Sequence, residues 1–264
     1  MEEEKYLKKI EEMEQFAKEN YVPIIKKDSS KYIKNVLVQI FNRKIKEKLD
    51  KKQFEESVID IDFNILELGT AIAYSSIIFT KEILNLKDKF ERENELKLNL
   101  NIKYLTCEKD SERYNLAIEN INYFSKENGF NNLNFKNIIY PYNLDAEKFI
   151  ENIKKGKIKV ETNKNELYGS LSKFDLIFID ANKSAYLKYF LETKEIIQES
   201  GIILFDNILF NGWVFGNYHE KKHRTIVNNL RNFINYLDNN NIEYKILYEA
   251  DGILQINGEI LQFK

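Results

Sequence analysis

Cysteine is almost missing from this chain: Cys107 is the only one among 264 residues. That excludes an intrachain disulfide and any cysteine-rich zinc site. No apolar run approaches the ~20 residues of a membrane-spanning helix, so no membrane partner is expected. Neither sign of charge is in excess, with 40 basic residues against 42 acidic and a net charge of −2. A global electrostatic grip on nucleic acid is therefore not indicated, and only a local basic patch stays open. The amino-terminal "MEEEKYLKKIEEMEQF" is acidic and amphipathic, whereas a signal peptide is basic and then apolar. These absences predict a cytoplasmic protein. What is present is a globular composition, 43% hydrophobic and 31% charged, in a length that suits one large domain or two small ones.

Tyr6, Ile10, Met13 and Phe16 fall at helical spacing and predict a helix over 3–19. Pro23 breaks it, because the residue before a proline avoids helix. A second helix is expected over about 29–42, with Ser29 or Ser30 as its cap. From residue 64 the pattern becomes strand–helix alternation. Strands are expected at 64–68, 103–108, 135–140, 174–180 and 201–206. Helices are expected at 71–84, 110–128, 144–155, 184–200 and 221–238. Segments 243–250 and 252–258 should pair as a hairpin around Asp251-Gly252. Connections near 86–101 and 154–172, rich in Lys, Asn and Glu, read as solvated surface. Apolar, two-sided strands alternating with helices predict a parallel α/β sheet with helices on both faces. The domain reading is a helical cap over 1–60 and a core over 61–264.

In such sheets ligands sit outside the carboxyl ends of the strands. Four predicted strands end in an acid: Glu67, Glu108, Asp180 and Asp206. Gly69 allows a tight turn after the first strand, but only one of the three glycines of a dinucleotide fingerprint is present. Glu67 argues against phosphate there and tolerates a cationic or hydroxyl-rich ligand. Glu108 either accepts the hydroxyls of a ribose or is an ordinary helix-start acid. Asp145 either accepts from an adenine amino group or caps a helix. Asp180, Asp206 and Asn207 form an oxygen-only set that suits Mg²⁺, Mn²⁺ or Ca²⁺ and disfavours zinc; the alternative is that Asp206-Asn207 are turn formers. Lys183 is either a general base beside that set or a surface lysine.

The stretches "ENYVPII", "LELGTAIAYSS", "FDLIFIDANKSAY", "DNILFNG" and "DGILQI" resemble the cation-dependent class I O-methyltransferases, the group that contains catechol and caffeoyl-CoA O-methyltransferases. The resemblance covers residues from about 9 to 257. It implies a Rossmann-like fold with a seven-stranded, mostly parallel sheet and a C-terminal antiparallel hairpin. It implies S-adenosylmethionine as methyl donor, with Glu67, Gly69, Tyr74 and Ser75 around its methionine and ribose, Glu108 on the ribose hydroxyls, Asp145 and Ala146 at the adenine, and Asp180 also bordering the donor. Asp180, Asp206 and Asn207 match the family's ligands for Mg²⁺ or Mn²⁺, and Lys183 with Asp180 matches its catalytic pair. A homodimer is a further expectation.

"DNILFNG" followed by "KKHRTIVNNLRNFINYL" is most similar to the bacterial tRNA 5-hydroxyuridine methyltransferases. That implies methylation of wobble 5-hydroxyuridine to 5-methoxyuridine. Lys221, Lys222, Arg224 and Arg231 would then meet phosphates of a tRNA anticodon loop while Phe210, Trp213 or Phe215 stacks on a base. The alternative is O-methylation of small catechol-like phenols. Two positions depart from the family pattern: Ala73 stands where glycine is usual, and Ile25 where methionine is usual.

Overall fold

The computed structural model describes residues 2–50, 58–124, 128, 130, 134–158, 173–216, 221–249 and 251–261. Two helices come first, α1 (Glu2–Glu19) and α2 (Lys27–Asp50). The alternation follows as β1 (Val58–Leu68), α3 (Tyr74–Asn94), β2 (Lys97–Cys107), α4 (Ser111–Tyr123), β3 (Ile139–Tyr142), α5 (Ala146–Lys154), β4 (Phe174–Ile179), α6 (Tyr186–Thr193), β5 (Ile197–Asp206), α7 (Arg224–Asn239), β6 (Lys245–Leu247) and β7 (Ile253–Asn257). The strands form one seven-stranded sheet in the order β3-β2-β1-β4-β5-β7-β6. β2 pairs with β3, β1 with β4, and β4 with β5, all parallel. β7 runs antiparallel to both β5 and β6, giving the C-terminal hairpin. This is the Rossmann-like class I methyltransferase architecture, as expected.

Residue pattern explains the strands. Val58–Asn64 alternates exposed and buried positions, whereas Ile65–Leu68 and all six residues of β4 are buried. Segments buried on both faces need helices over both faces, which the intervening helices supply. Two compact units divide the chain: Met1–Ile25, Ser30–Asn64 and Thr70–Asn143 form the first; Lys26–Ser29, Ile65–Gly69 and Leu144–Lys264 form the second. In the first, Phe124 meets Tyr6, Phe130 and Phe135 at ring separations of 5.5, 5.1 and 5.2 Å. In the second, Phe233 meets Phe205, Phe190 and Tyr186 at 4.7, 5.8 and 6.4 Å. Each such buried side chain contributes roughly 1.5–3 kcal/mol of burial free energy.

Several sequence expectations change in detail. α3 continues to Asn94 and β2 starts at Lys97, so the presumed surface excursion near 86–101 is mostly regular structure. The strand expected at 135–140 is a short 3-10 turn (Phe135–Asn137) followed by β3. The helix expected over 184–200 ends at Thr193, and Ile197–Ser200 already belongs to β5. Of the connection at 154–172, residues 159–172 lie outside the described part. Ser29 and Ser30 are not caps; both lie inside α2, which begins at Lys27. Among the described residues, no helix is long and apolar enough to cross a membrane.

Candidate active site

In the second unit, β4 and β5 run side by side and release Asp180 and Asp206 at the same end of the sheet. Gly69 fixes the neighbouring end of β1. Its φ is +105°, and a Cβ there would lie 2.4 Å from the Asp180 carbonyl oxygen, so only glycine fits without a shift. The Asp180 amide donates to the Leu68 carbonyl at 2.9 Å, continuing the β1–β4 pairing to the site. Lys183 sits in the 3-10 turn Lys183–Ala185, and its Nζ donates to Asp180 Oδ1 at 3.1 Å. Asn182 caps this turn by accepting from the Ser184 amide, and Asn229 of α7 donates to the Ser184 carbonyl at 3.1 Å.

Asp206 is 1% exposed. Its Oδ1 accepts from Ser29 Oγ at 3.2 Å and from the Asn207 amide at 2.9 Å. Burial, and then the charge of Asp180, push the Asp206 carboxyl up to about 7; the Asn207 amide, Lys183 and Ser29 pull the other way. The Tyr186 hydroxyl lies between the two strand ends. It donates to the Asp206 carbonyl at 2.7 Å, with the Ile179 carbonyl at 3.3 Å. Full burial, with Asp180 and Asp206 nearby, holds that phenol far above its ordinary range, so it stays a donor. Asn207 adopts a left-handed backbone (φ 55°), which asparagine tolerates better than most residues.

Glu67 and Asp145 also belong to this unit. Glu67 is buried in β1, in register with Phe178 of β4. Asp145 is exposed and caps α5, accepting from the Glu147 amide at 3.0 Å; Ala146 is the buried first residue of that helix.

In the first unit, Glu108 follows β2 and is 7% exposed. Oε2 accepts from the Ala71 amide at 3.1 Å and Oε1 from the Asp110 amide at 2.9 Å. Its own carbonyl accepts from Asn143 Nδ2 at 2.9 Å. Asp110 caps α4 through the Arg113 amide, as the sequence suggested. The turn carrying Ala71 leads into α3. Ala71 and Ala73 have φ of 47° and 65°, so the alanine that replaces the usual glycine is in the left-handed region and strained there. Asn120 Nδ2 holds the turn through the Ile72 carbonyl at 3.0 Å. Tyr74 and Ser75 open α3; the Tyr74 hydroxyl donates to Glu14 of α1 at 2.5 Å. Ile25 is buried.

The four cations expected to contact RNA are not alike. Lys221 and Lys222 are exposed, as is Arg224 at the start of α7. Arg231 turns inward to the protein's own backbone: Nε donates to the Val214 carbonyl at 2.8 Å, and Nη2 to the Trp213 and Gly216 carbonyls at 2.8 and 2.6 Å. His223 stacks on Trp213 at 6.0 Å and is not simply part of a polar loop. Tyr186 and Asn229 have no signal in the sequence that marks them, and Ser29 is marked there only as a helix cap.

With this geometry in place, known proteins give its context. A family model described as O-methyltransferase matches residues 64–257. The chain belongs to the O-methyltransferase family. Among curated relatives, a Dictyostelium discoideum protein named as a probable caffeoyl-CoA O-methyltransferase 3 is 44% identical over 54 residues, 20% of this chain and 22% of the relative. Caffeoyl-CoA O-methyltransferase 1 of Eucalyptus globulus is 44% identical over 46 residues, 17% of this chain and 19% of the relative. The chain thus spans about a fifth of the curated relatives it matches. Among solved structures, an O-methyltransferase from Bacillus cereus in complex with SAH has a TM-score of 0.59 at 20% identity, covering 95% of this chain and 90% of that one. The O-methyltransferase TomG from Streptomyces achromogenes, involved in tomaymycin synthesis and solved with SAM, has a TM-score of 0.56 at 16% identity, covering 94% and 89%. At these identities the structures establish the shared fold.

Two expectations are corrected. The tRNA reading, with its role in tRNA modification, is overturned by relatives named for caffeoyl-CoA. The inward use of Arg231 removes one of the cations on which it stood. The metal-binding expectation also fails as a finding: among the described residues no group of three or more His, Cys, Asp or Glu could hold a metal ion. What exists is a pair of acids, flanked by an amide and a lysine.

Proposed function

We propose that this chain is an S-adenosylmethionine-dependent O-methyltransferase acting on small catechol-like phenols. The observation that carries the reading is the constellation of Asp180, Lys183 and Asp206 at two parallel strand ends, inside the segment that matches the O-methyltransferase family. The caffeoyl-CoA names of the relatives support a phenolic acceptor. SAH and SAM in the two solved neighbours support the donor.

The residues fit such a donor. The two Glu108 oxygens have lone pairs left for ribose hydroxyls after accepting one amide each. When bound, S-adenosylmethionine supplies a sulfonium methyl group that the acceptor's oxygen takes in exchange for the sulfur. Glu108 holds the ribose; Glu67, Gly69, Tyr74 and Ser75 border the methionine and ribose, and Asp145 with Ala146 borders the adenine. Lys183 in its uncharged amine form takes the phenolic proton on the Nζ lone pair and becomes the ammonium that pairs with Asp180, which holds that nitrogen at 3.1 Å. Asp206, locked by Ser29 and the Asn207 amide, fixes the acceptor end of the site.

The experiment is product analysis. The protein is incubated with S-adenosylmethionine and, separately, catechol, phenol and a simple alcohol, with and without added Mg²⁺. Monomethyl ether from catechol, well above the yield from phenol or alcohol, is the expected result. Tight donor binding with no methyl ether from any phenol would overturn the reading.

A further inference from the structure

We propose that Arg231 is a positioning residue for acceptor recognition, clamping the loop after β5 so that its aromatic side chains are pre-set for a flat phenolic ring. The proposal rests on the methyl-transfer reading above.

The loop begins at Asn207, next to Asp206 in the chain. Asn207, Phe210, Asn211 and Gly212 have φ of 55°, 45°, 59° and 76°. A bulky aromatic such as Phe210 seldom adopts that region, and such backbone persists only where its surroundings over-determine it. One set of restraints comes from the turn before β7. Asp251 Oδ1 accepts from the Asn211 amide at 2.6 Å, and the Asp251 and Gly252 carbonyls accept from Leu209 and Ile208 amides at 2.9 and 3.0 Å.

The other set is a single side chain. Three carbonyls, those of Trp213, Val214 and Gly216, converge on the Arg231 guanidinium. A planar fork with fixed donors meets all three, which the point charge of a lysine cannot reproduce. The consequence is an ordered aromatic group. Trp213 is stacked on His223 at 6.0 Å with planes 25° apart, and Phe210 meets Trp213 edge-on at 5.6 Å. Aromatic faces recognise flat phenols, and pre-ordering them lowers the cost of binding without changing the bond-making step. Arg231 therefore acts on acceptor affinity through the loop and touches no reacting atom.

The chain's single tryptophan is Trp213, so intrinsic fluorescence reads this loop even without substrate. Arg231→Lys and Arg231→Ala are compared with wild type and with Arg224→Ala, an exposed position on the same helix. Both Arg231 variants should shift Trp213 emission to the red and increase quenching by acrylamide. They should raise KM for catechol roughly tenfold while kcat stays within about threefold. Arg224→Ala should change neither signal. If Arg231→Ala fails to fold by far-ultraviolet circular dichroism, Arg231→Lys decides. Wild-type emission, quenching and KM in Arg231→Lys would overturn the proposal, and so would a fall in kcat at unchanged KM. Absence of methyl transfer to catechol by the wild-type protein would instead overturn the functional reading, and the emission shift would still decide the clamp.

Discussion

Glu108 and Asp206 occupy comparable places, each where a parallel strand delivers its last residues, yet they are built differently. Glu108 has a backbone amide on each oxygen, and Arg113 approaches to 3.9 Å. Asp206 is deeper, shares one oxygen between Ser29 and an amide, and feels the charge of Asp180. An acid held by fixed amides suits holding a neutral polyol such as ribose. An acid strained by burial and a like charge suits a place where a proton or positive charge arrives. In the proposed function, one end is the handle for the donor and the other the place of chemistry.

That division can be broken most forcefully at Asp206. Asp206→Ala should lower kcat for catechol by about 10²–10⁴-fold, the range for loss of positioned acid–base machinery; a steady-state assay with labelled methyl donor checks it. A smaller effect sharpens the comparison through pH. The Asp206 carboxyl titrates near 3.8 when unfolded and about 7 when folded, so the native state binds the extra proton between those values. Its contribution is present in full below about pH 4 and fades as pH rises through about 7, by up to a few kcal/mol. Thermal melts of wild type and Asp206→Asn should therefore diverge: only the wild type carries this loss, and parallel curves from pH 4 to 8 would refute it.

Tyr186→Phe should come next. Removing the hydroxyl leaves the buried Asp206 carbonyl short of a donor, at a cost of about 1–2 kcal/mol by denaturant titration. It should also reduce kcat more than it changes donor affinity, because the loosened groups lie at the acceptor end. The smallest effect is expected at the donor turn. Ala73→Gly relieves a left-handed alanine and should stabilise by up to about 1 kcal/mol, net of the added freedom of the unfolded chain. Activity should be nearly unchanged.

Much of this was legible locally. Short apolar runs ending in acids mark β2, β4 and β5, Glu67 stands one residue before the end of β1, and the Asp251-Gly252 turn marks the hairpin. The relevant interactions are encoded within a few residues. α3 was read short because its outer turns, "LKDKFEREN", carry the polar face of a half-buried helix and look like loop. The first half of β1 was missed because Asp60 and Asp62 interrupt its apolar residues on the solvent side. Ser29 looks like a cap in the sequence because its partner, Asp206, lies 177 residues away. Arg231 reads as an RNA contact in the sequence because a cation on an amphipathic helix looks the same whether it meets phosphate or backbone carbonyls 15–18 residues back. The strand-end acids do not encode the shape of a substrate, so the choice of a phenolic acceptor, open in the sequence as an alternative, is a proposal supported by the names of the relatives.

The central claim is the division of labour between the two strand ends, and calorimetry of S-adenosylmethionine binding to Glu108→Ala and Asp206→Ala tests it most directly. Glu108→Ala should weaken binding by roughly 1–3 kcal/mol, the scale of hydrogen bonds lost to a charged group, while Asp206→Ala stays within about tenfold of wild type. Unchanged affinity in Glu108→Ala, or an equal or larger loss in Asp206→Ala, would contradict the account.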